Sequence, residues 1–186
     1  MKILQVNTSD ISGGAARAAY RIHKGLQGSG GINSRMLVQD KLSDDKTVIG
    51  PDSKIKKGFA KLRPTLDSAV KKMFAGGSKT IFSPAWLPFS DIPSQIKSIA
   101  PDIIHLHWIC GGMLRIEELK QINKPIIWTL HDMWAFTGGC HYSDGCDRFQ
   151  QNCGNCPQLD RSGKNDLSRS ILRRKKKRGT GLILLL

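Results

Sequence analysis

The side chains able to do chemistry gather in three short stretches and one cysteine cluster. His131-Asp132 follows the apolar run Pro125 to Leu130, PIIWTL. An imidazole titrates near neutral pH, so a histidine just past a strand suits contact with a reacting hydroxyl or a phosphate. His131 is therefore the candidate catalytic residue and Asp132 a candidate substrate-binding residue, although a neighbouring Asp need not orient the ring. In the second stretch, His105-Leu106-His107-Trp108, strand alternation puts both imidazoles on one face. For at least one of these two histidines the expected role is structural, as a ring hydrogen-bonded to its neighbours. The third stretch is Ser12-Gly13-Gly14, where two glycines let the backbone approach a ligand closely and a helix amino terminus offers N–H groups to an anion. A tight turn needs glycine for steric reasons as well, and the missing G-x-G-x-x-G spacing disfavours NAD.

Cys140, Cys146, Cys153 and Cys156 form C-x5-C-x6-C-x2-C in a glycine- and asparagine-rich loop over residues 138–160, with Cys110 apart. In a chain read as cytoplasmic, this clustering favours a structural zinc site over disulfides. His141 is a substitute ligand. Four thiolates would leave the metal no open position, so catalytic zinc is not expected.

These residues need elements to hold them. Lys2 to Val6 reads as a buried first strand, followed by a polar loop from Asn7 to Gly14. Ala15, Ala16, Ala18, Ala19, Ile22 and Leu26 then predict a helix that Gly28, Gly30 and Gly31 stop. Ile32 to Val38 predicts a second strand and completes a right-handed β-α-β unit. From Ser53 to Phe74 apolar residues recur at helical spacing among many lysines, with Pro64 expected to divide the helix. Its lysine face either lies on anionic lipid or, as the plainer reading, stands in water while the helix covers the sheet. The proline-punctuated segment TIFSPAWLPFSDIP predicts an irregular loop. A helix over Pro93 to Ile99, a strand over Asp102 to His107, a helix over Leu114 to Gln121 and a strand over Pro125 to Leu130 follow. Strands separated by helices predict an α/β, Rossmann-like doubly wound parallel sheet over residues 1–165, with a basic helix and an apolar tail over 166–186. Ligands of such sheets bind beyond the carboxyl ends of the strands, where all three stretches lie.

The chain has 186 residues, enough for one α/β domain, and carries a net charge of +14 from 29 Lys and Arg against 15 Asp and Glu. That excess favours anionic partners, but much of it sits in the run Arg173 to Arg178, which fits a frayed tail better than a binding site. The amino terminus lacks the apolar region of roughly 7–15 residues that a signal peptide needs. No stretch approaches the ~18 apolar residues of a spanning helix. The expected location is the cytoplasm, with peripheral contact at the inner face of an anionic plasma membrane as an extension of that reading.

Taken together, KILQVNTSDISGGAARAAYRIHKGLQ, PDIIHLHW, KPIIWTLHDMWAFTGGCHYSDGC and CGNCPQL resemble the amino-terminal domain of bacterial glycosyltransferases of family 4, which act in exopolysaccharide, colanic-acid-like and lipopolysaccharide assembly. The resemblance covers roughly residues 1 to 178. It implies the amino-terminal half of a GT-B fold and retaining sugar transfer from a nucleotide sugar to a glycan or lipid-linked acceptor, with no metal or other cofactor required for catalysis. It also implies that Gly13 and Gly14 lie against the cleft and that His131 contacts the reacting sugar. The E-x7-E donor domain of such enzymes is absent from this sequence, and the closing GTGLILLL reads as the end of a truncated frame, so the expectation is an acceptor-side domain of doubtful activity on its own. Two rival readings are a nucleic-acid-binding protein with a zinc knuckle, for which the charge is too concentrated in one helix and the tail, and a non-catalytic accessory protein.

Overall fold

The computed structural model describes residues 1–75, 80–177 and 183–185. Six parallel strands run in the order β3-β2-β1-β4-β5-β6. They are β1 (Lys2–Ser9), β2 (Asn33–Asp40), β3 (Val48–Ile49), β4 (Ile103–Leu106), β5 (Ile126–Trp128) and β6 (Ile183–Leu185). β1 lies at the centre because both its faces are covered: Ile3, Leu4 and Val6 are buried, and Gln5 and Asn7 with them. It pairs with β2 from Lys2↔Asn33 to Ser9↔Asp40 and with β4 from Ile3↔Ile103 to Val6↔Leu106. The chain order reverses between β1 and β4, which opens a crevice at their carboxyl ends. This is the Rossmann-like doubly wound architecture expected of the sequence.

Helix α1 (Gly14–Gln27) lies against β1 and β2 through Ala16 and Ala19, whose small side chains let the helix approach the sheet closely. Helix α3 (Ile92–Ile99) begins with Pro93 in its first turn, where the missing N–H costs nothing, and buries Ile92 and Ile96. The helix expected over Leu114 to Gln121 is present as a 3-10 helix, Ile116–Gln121. Residues 138–160 are irregular apart from a 3-10 turn at Arg148–Gln150 and a bridge from Cys140 to Phe82.

Helix α2 (Lys54–Ala75) departs from expectation twice. It runs unbroken through Pro64. The ring removes one backbone hydrogen bond, but next to it Arg63 donates to the carbonyls of Gly112, Leu87, Pro88 and Phe89 and holds the helix to the body at that turn. Of its apolar row, Ile55, Phe59, Leu62 and Leu66 point outward, 74%, 63%, 56% and 46% exposed, while Ala60 and Asp67 face inward. The side chains of Val70 and Phe74 in that row lie outside the described residues. The helix therefore does not cover the sheet with its apolar face.

Much of the basic run is ordered as well. Helix α4 (Leu167–Lys176) is capped by Asp166, whose carboxylate accepts from the Arg169 amide, and it buries Leu167, Ile171 and Leu172. Arg174 pairs with Glu117 at 2.7 Å, so this part of the run is not frayed. Arg178 lies outside the described residues. Part of the expected apolar tail, Ile183–Leu185, pairs with Ile126–Trp128 as the sixth strand.

Candidate functional site

A cleft of about 790 Å³ opens at the carboxyl ends of β1 and β4, and Gly13, Gly14, His131 and Asp132 all line it. Four residues chosen from two separate parts of the sequence thus meet at one place. The wall also includes Lys61 of α2, Trp108, His141 and Tyr142. A separate cavity of about 350 Å³ between α2 and α3 is lined by Phe59, Arg63, Phe89 and Met113 and brings none of these groups together.

The glycine loop is built to leave backbone facing the cleft. Gly13 has φ +91°, a conformation that L side chains rarely adopt, and a side chain added at Gly13 or Gly14 would meet nothing within 4 Å. Space therefore remains in front of both residues. Asp10 anchors the loop from behind, accepting from the amides of Ile11 at 3.0 Å, Leu42 at 3.0 Å and Ser43 at 2.9 Å. Burial alone would raise the Asp10 carboxyl, but the bonds from Ser43 and Leu42 outweigh it and hold the group below the usual carboxylate range. No acidic side chain occupies the first turn of α1, so its positive end is left for the cleft.

His131 lies three residues beyond the end of β5. Its Nε2 lies 3.0 Å from His107 Nδ1, and His107 Nε2 lies 2.7 Å from Gln5 Oε1. The rings of His105, His107 and His131 form a row, with centroids 4.3 Å and then 5.2 Å apart. His105 closes the row through Thr129 Oγ1 at 2.7 Å. Burial pushes all three imidazoles down, His107 to about 3, so they stand neutral at pH 7. His131 accordingly presents a neutral ring nitrogen to the cleft, not a fixed cation.

Asp132 has a different occupation from its neighbour. Oδ2 takes His141 Nδ1 at 2.6 Å and the Trp108 indole N–H at 3.1 Å, and Oδ1 takes the Trp134 amide at 2.8 Å. Burial alone would raise this carboxyl, yet these partners, His141 first, hold it below the usual range. His141, the substitute metal ligand of the sequence reading, has its other nitrogen 2.9 Å from Ser83 Oγ. Both its nitrogens are thus engaged. Spacing gave no signal that His141 and Tyr142 would reach the cleft, because the cysteine loop folds back through the Cys140–Phe82 bridge to put them there. Trp108 was within reach of the sequence, since it directly follows His107.

The four clustered cysteines are unbonded and near enough for their thiolates to disfavour one another. Burial, followed by the neighbouring thiols, pushes the Cys153 thiol up to about 11. Four thiols suit zinc chemically. Among the described residues, however, no three His, Cys, Asp or Glu side chains converge so as to hold a metal ion, and no ligand geometry is assigned. Behind the loop, the Lys175 ammonium lies 3.7 Å above the Trp134 ring and donates to the carbonyls of Trp134 and Thr137.

Fold and site together define a Rossmann-like α/β domain with a cleft at its topological switch point. Among curated proteins the chain is similar to the putative colanic acid biosynthesis glycosyl transferase WcaC of Escherichia coli strain K12, with 25% identity over 170 residues. The match takes in 86% of this chain and 40% of that relative, so the chain spans well under half the relative's length. No family model matches the chain, and no solved structure matches it. The protein is thereby related to a glycosyl transferase. No helix among the described residues is long and apolar enough to cross a membrane.

Proposed function

We propose that this chain is the acceptor-side, amino-terminal domain of a retaining glycosyltransferase of the GT-B, family 4 type, serving surface-polysaccharide synthesis. The observation that carries the reading is the convergence of Gly13, Gly14 and His131 on one cleft at the switch point, in a chain related to a glycosyl transferase. A nucleotide sugar is the donor and a glycan or lipid-linked saccharide the acceptor. His131, neutral at working pH, makes a directional hydrogen bond to a sugar hydroxyl. The Gly13-Gly14 backbone and the positive end of α1 approach the ligand from the opposite wall. Asp132 orders the wall by holding His141 and Trp108. A separate donor-binding domain would supply the remaining nucleotide contacts.

Two attachments accompany this role. The outward apolar row of α2 and the lysines beside it, Lys57 and Lys61 among them, fit peripheral contact with an anionic membrane surface, where lipid-linked acceptors reside. The cysteine loop is proposed as a structural zinc site: metal would draw the four thiols together and stiffen residues 138–160 without entering the transfer chemistry.

The test is amide-resolved NMR titration with UDP-glucose, GDP-mannose and a panel of oligosaccharides, with random RNA as a charge control. The expected perturbations cluster at residues 12–16, 108, 131–132 and 141–142 with a sugar ligand. Perturbation by RNA alone, or by no sugar at all, would overturn the assignment.

A further inference from the structure

His107 does not line the cleft, yet both its ring nitrogens are used. Gln5 and His107 are 0% and 2% exposed, so water takes no part in their pairing. Gln5 Oε1, 2.7 Å from His107 Nε2, can only accept, and the proton of that bond therefore belongs to His107 Nε2. A neutral imidazole carries one proton. His107 Nδ1 is thus a bare lone pair, and the group that bonds to it at 3.0 Å, His131 Nε2, must be the donor. The single proton of His131 is then on Nε2, which leaves Nδ1 bare. No hydrogen-bond partner for that Nδ1 exists among the described residues, and His131 lines the cleft. The nearest carboxylate in sequence, Asp132, is already taken by His141, Trp108 and Trp134.

We propose that Gln5 and His107 are positioning residues that fix His131 as its Nε2–H tautomer, so that the cleft meets an acceptor nitrogen selecting a ligand hydroxyl over a phosphate or carbonyl oxygen. The choice of ligand rests on the sugar-cleft reading given above, whereas the tautomer is a property of the protein alone. Burial of His107, which pushes its ring down to about 3, keeps the row neutral and the polarity one-directional. The Gln5 amide is the reference for the whole row. Turned end for end, its Nε2 would donate to His107, each bond would reverse, and His131 would show an N–H to the cleft. As placed, Gln5 Nε2 is buried without a partner. The turned amide would leave Oε1 in that position instead.

Histidine side-chain nitrogen NMR on the free protein at pH 7.5 reads this directly. The expected spectrum has Nε2 protonated and Nδ1 bare on both His107 and His131. A protonated Nδ1 on His131 would overturn the proposal. The variants read the coupling. Gln5→Met, whose thioether has no proton to donate, should keep the His131 tautomer, while Gln5→Leu should shift His131 to a mixture of both. An unchanged single tautomer in Gln5→Leu would remove Gln5 from the mechanism. If Gln5→Leu does not fold, the wild-type and Gln5→Met spectra decide the matter. Adding UDP-glucose and then the oligosaccharide panel to the same sample separates the two readings: absence of a shift with every one of these ligands counts against the sugar cleft and leaves the tautomer result standing.

Discussion

Acidification should weaken this fold through His107, and the size of the effect follows from the burial of one ring. In an unfolded chain the imidazole titrates near about 6.5. In the fold, burial first and then the neighbouring His105 and His131 push it down to about 3. The folded-state value is the lower one, so the unfolded chain takes up the proton first as pH falls. The stabilisation is accordingly complete above about 6.5 and drains away as pH descends toward about 3. Between pH 7 and pH 5 this linkage removes about 2 kcal/mol, with a ceiling of ~5 kcal/mol at full protonation. With a urea slope of ~2 kcal/mol/M, the midpoint should drop by about 1 M over that interval. His105 and His131 are shifted the same way and add to the loss. The assay therefore compares wild type with His107→Gln by urea unfolding at pH 7, 6 and 5. The gap between the two proteins should shrink by about 2 kcal/mol on acidification. Parallel curves with a constant gap would refute the premise that His107 is held neutral in the fold.

Other outcomes follow from the same geometry. Gly13→Ala should cost about 1–2 kcal/mol in thermal or urea unfolding because of its positive φ, whereas Gly14→Ala should leave stability within about 0.5 kcal/mol and weaken only ligand binding. His131→Ala should weaken sugar binding about tenfold by calorimetry, the equivalent of ~1.4 kcal/mol, while the protein stays folded. Lys175→Ala should lower stability by about 2–4 kcal/mol in urea, since it opens a cavity over Trp134 and frees two carbonyls. Paired Phe59→Ser and Leu62→Ser substitutions should abolish flotation with anionic vesicles at little cost in stability, because both side chains already face solvent. Metal analysis should find about one zinc per chain, lost in a Cys153→Ser, Cys156→Ser double variant; a folded, metal-free wild type would rule the zinc site out.

The elements that hold this site were legible wherever sequence periodicity reports burial. Lys2 to Val6, the alanine-rich helix and PIIWTL are each governed by a local pattern, and each appears within a few residues of its expected bounds. Placing ligand chemistry after strands then brought Gly13, Gly14, His131 and Asp132 together without any long-range information. What escaped was set by tertiary context. The periodicity of α2 gives an apolar face but not its direction, and the inward side proved to be the one carrying Ala60, Arg63 and Asp67. The Arg173 to Arg178 run looked like solvated charge because its partners, Glu117 and the carbonyls of Pro84 and Ala85, lie far away in the chain. The occupation of Asp132 by His141 depends on a loop that returns through a single bridge, and no spacing rule encodes that return.

The central place of β1 carries a cost in time. Its β2 side can close as soon as the first β-α-β unit has been made, but its other neighbour begins at Ile103. The Lys2 amide waits for a carboxylate one hundred residues further along, at Asp102. During synthesis, β1 therefore leaves the ribosome with one apolar flank and one row of backbone groups unpaired until more than half the chain has followed. Parallel pairing at that separation is slow, and the open flank invites association with other nascent chains. Expression at lower temperature or with chaperone support should raise the soluble yield of this protein even under conditions where its finished fold is stable.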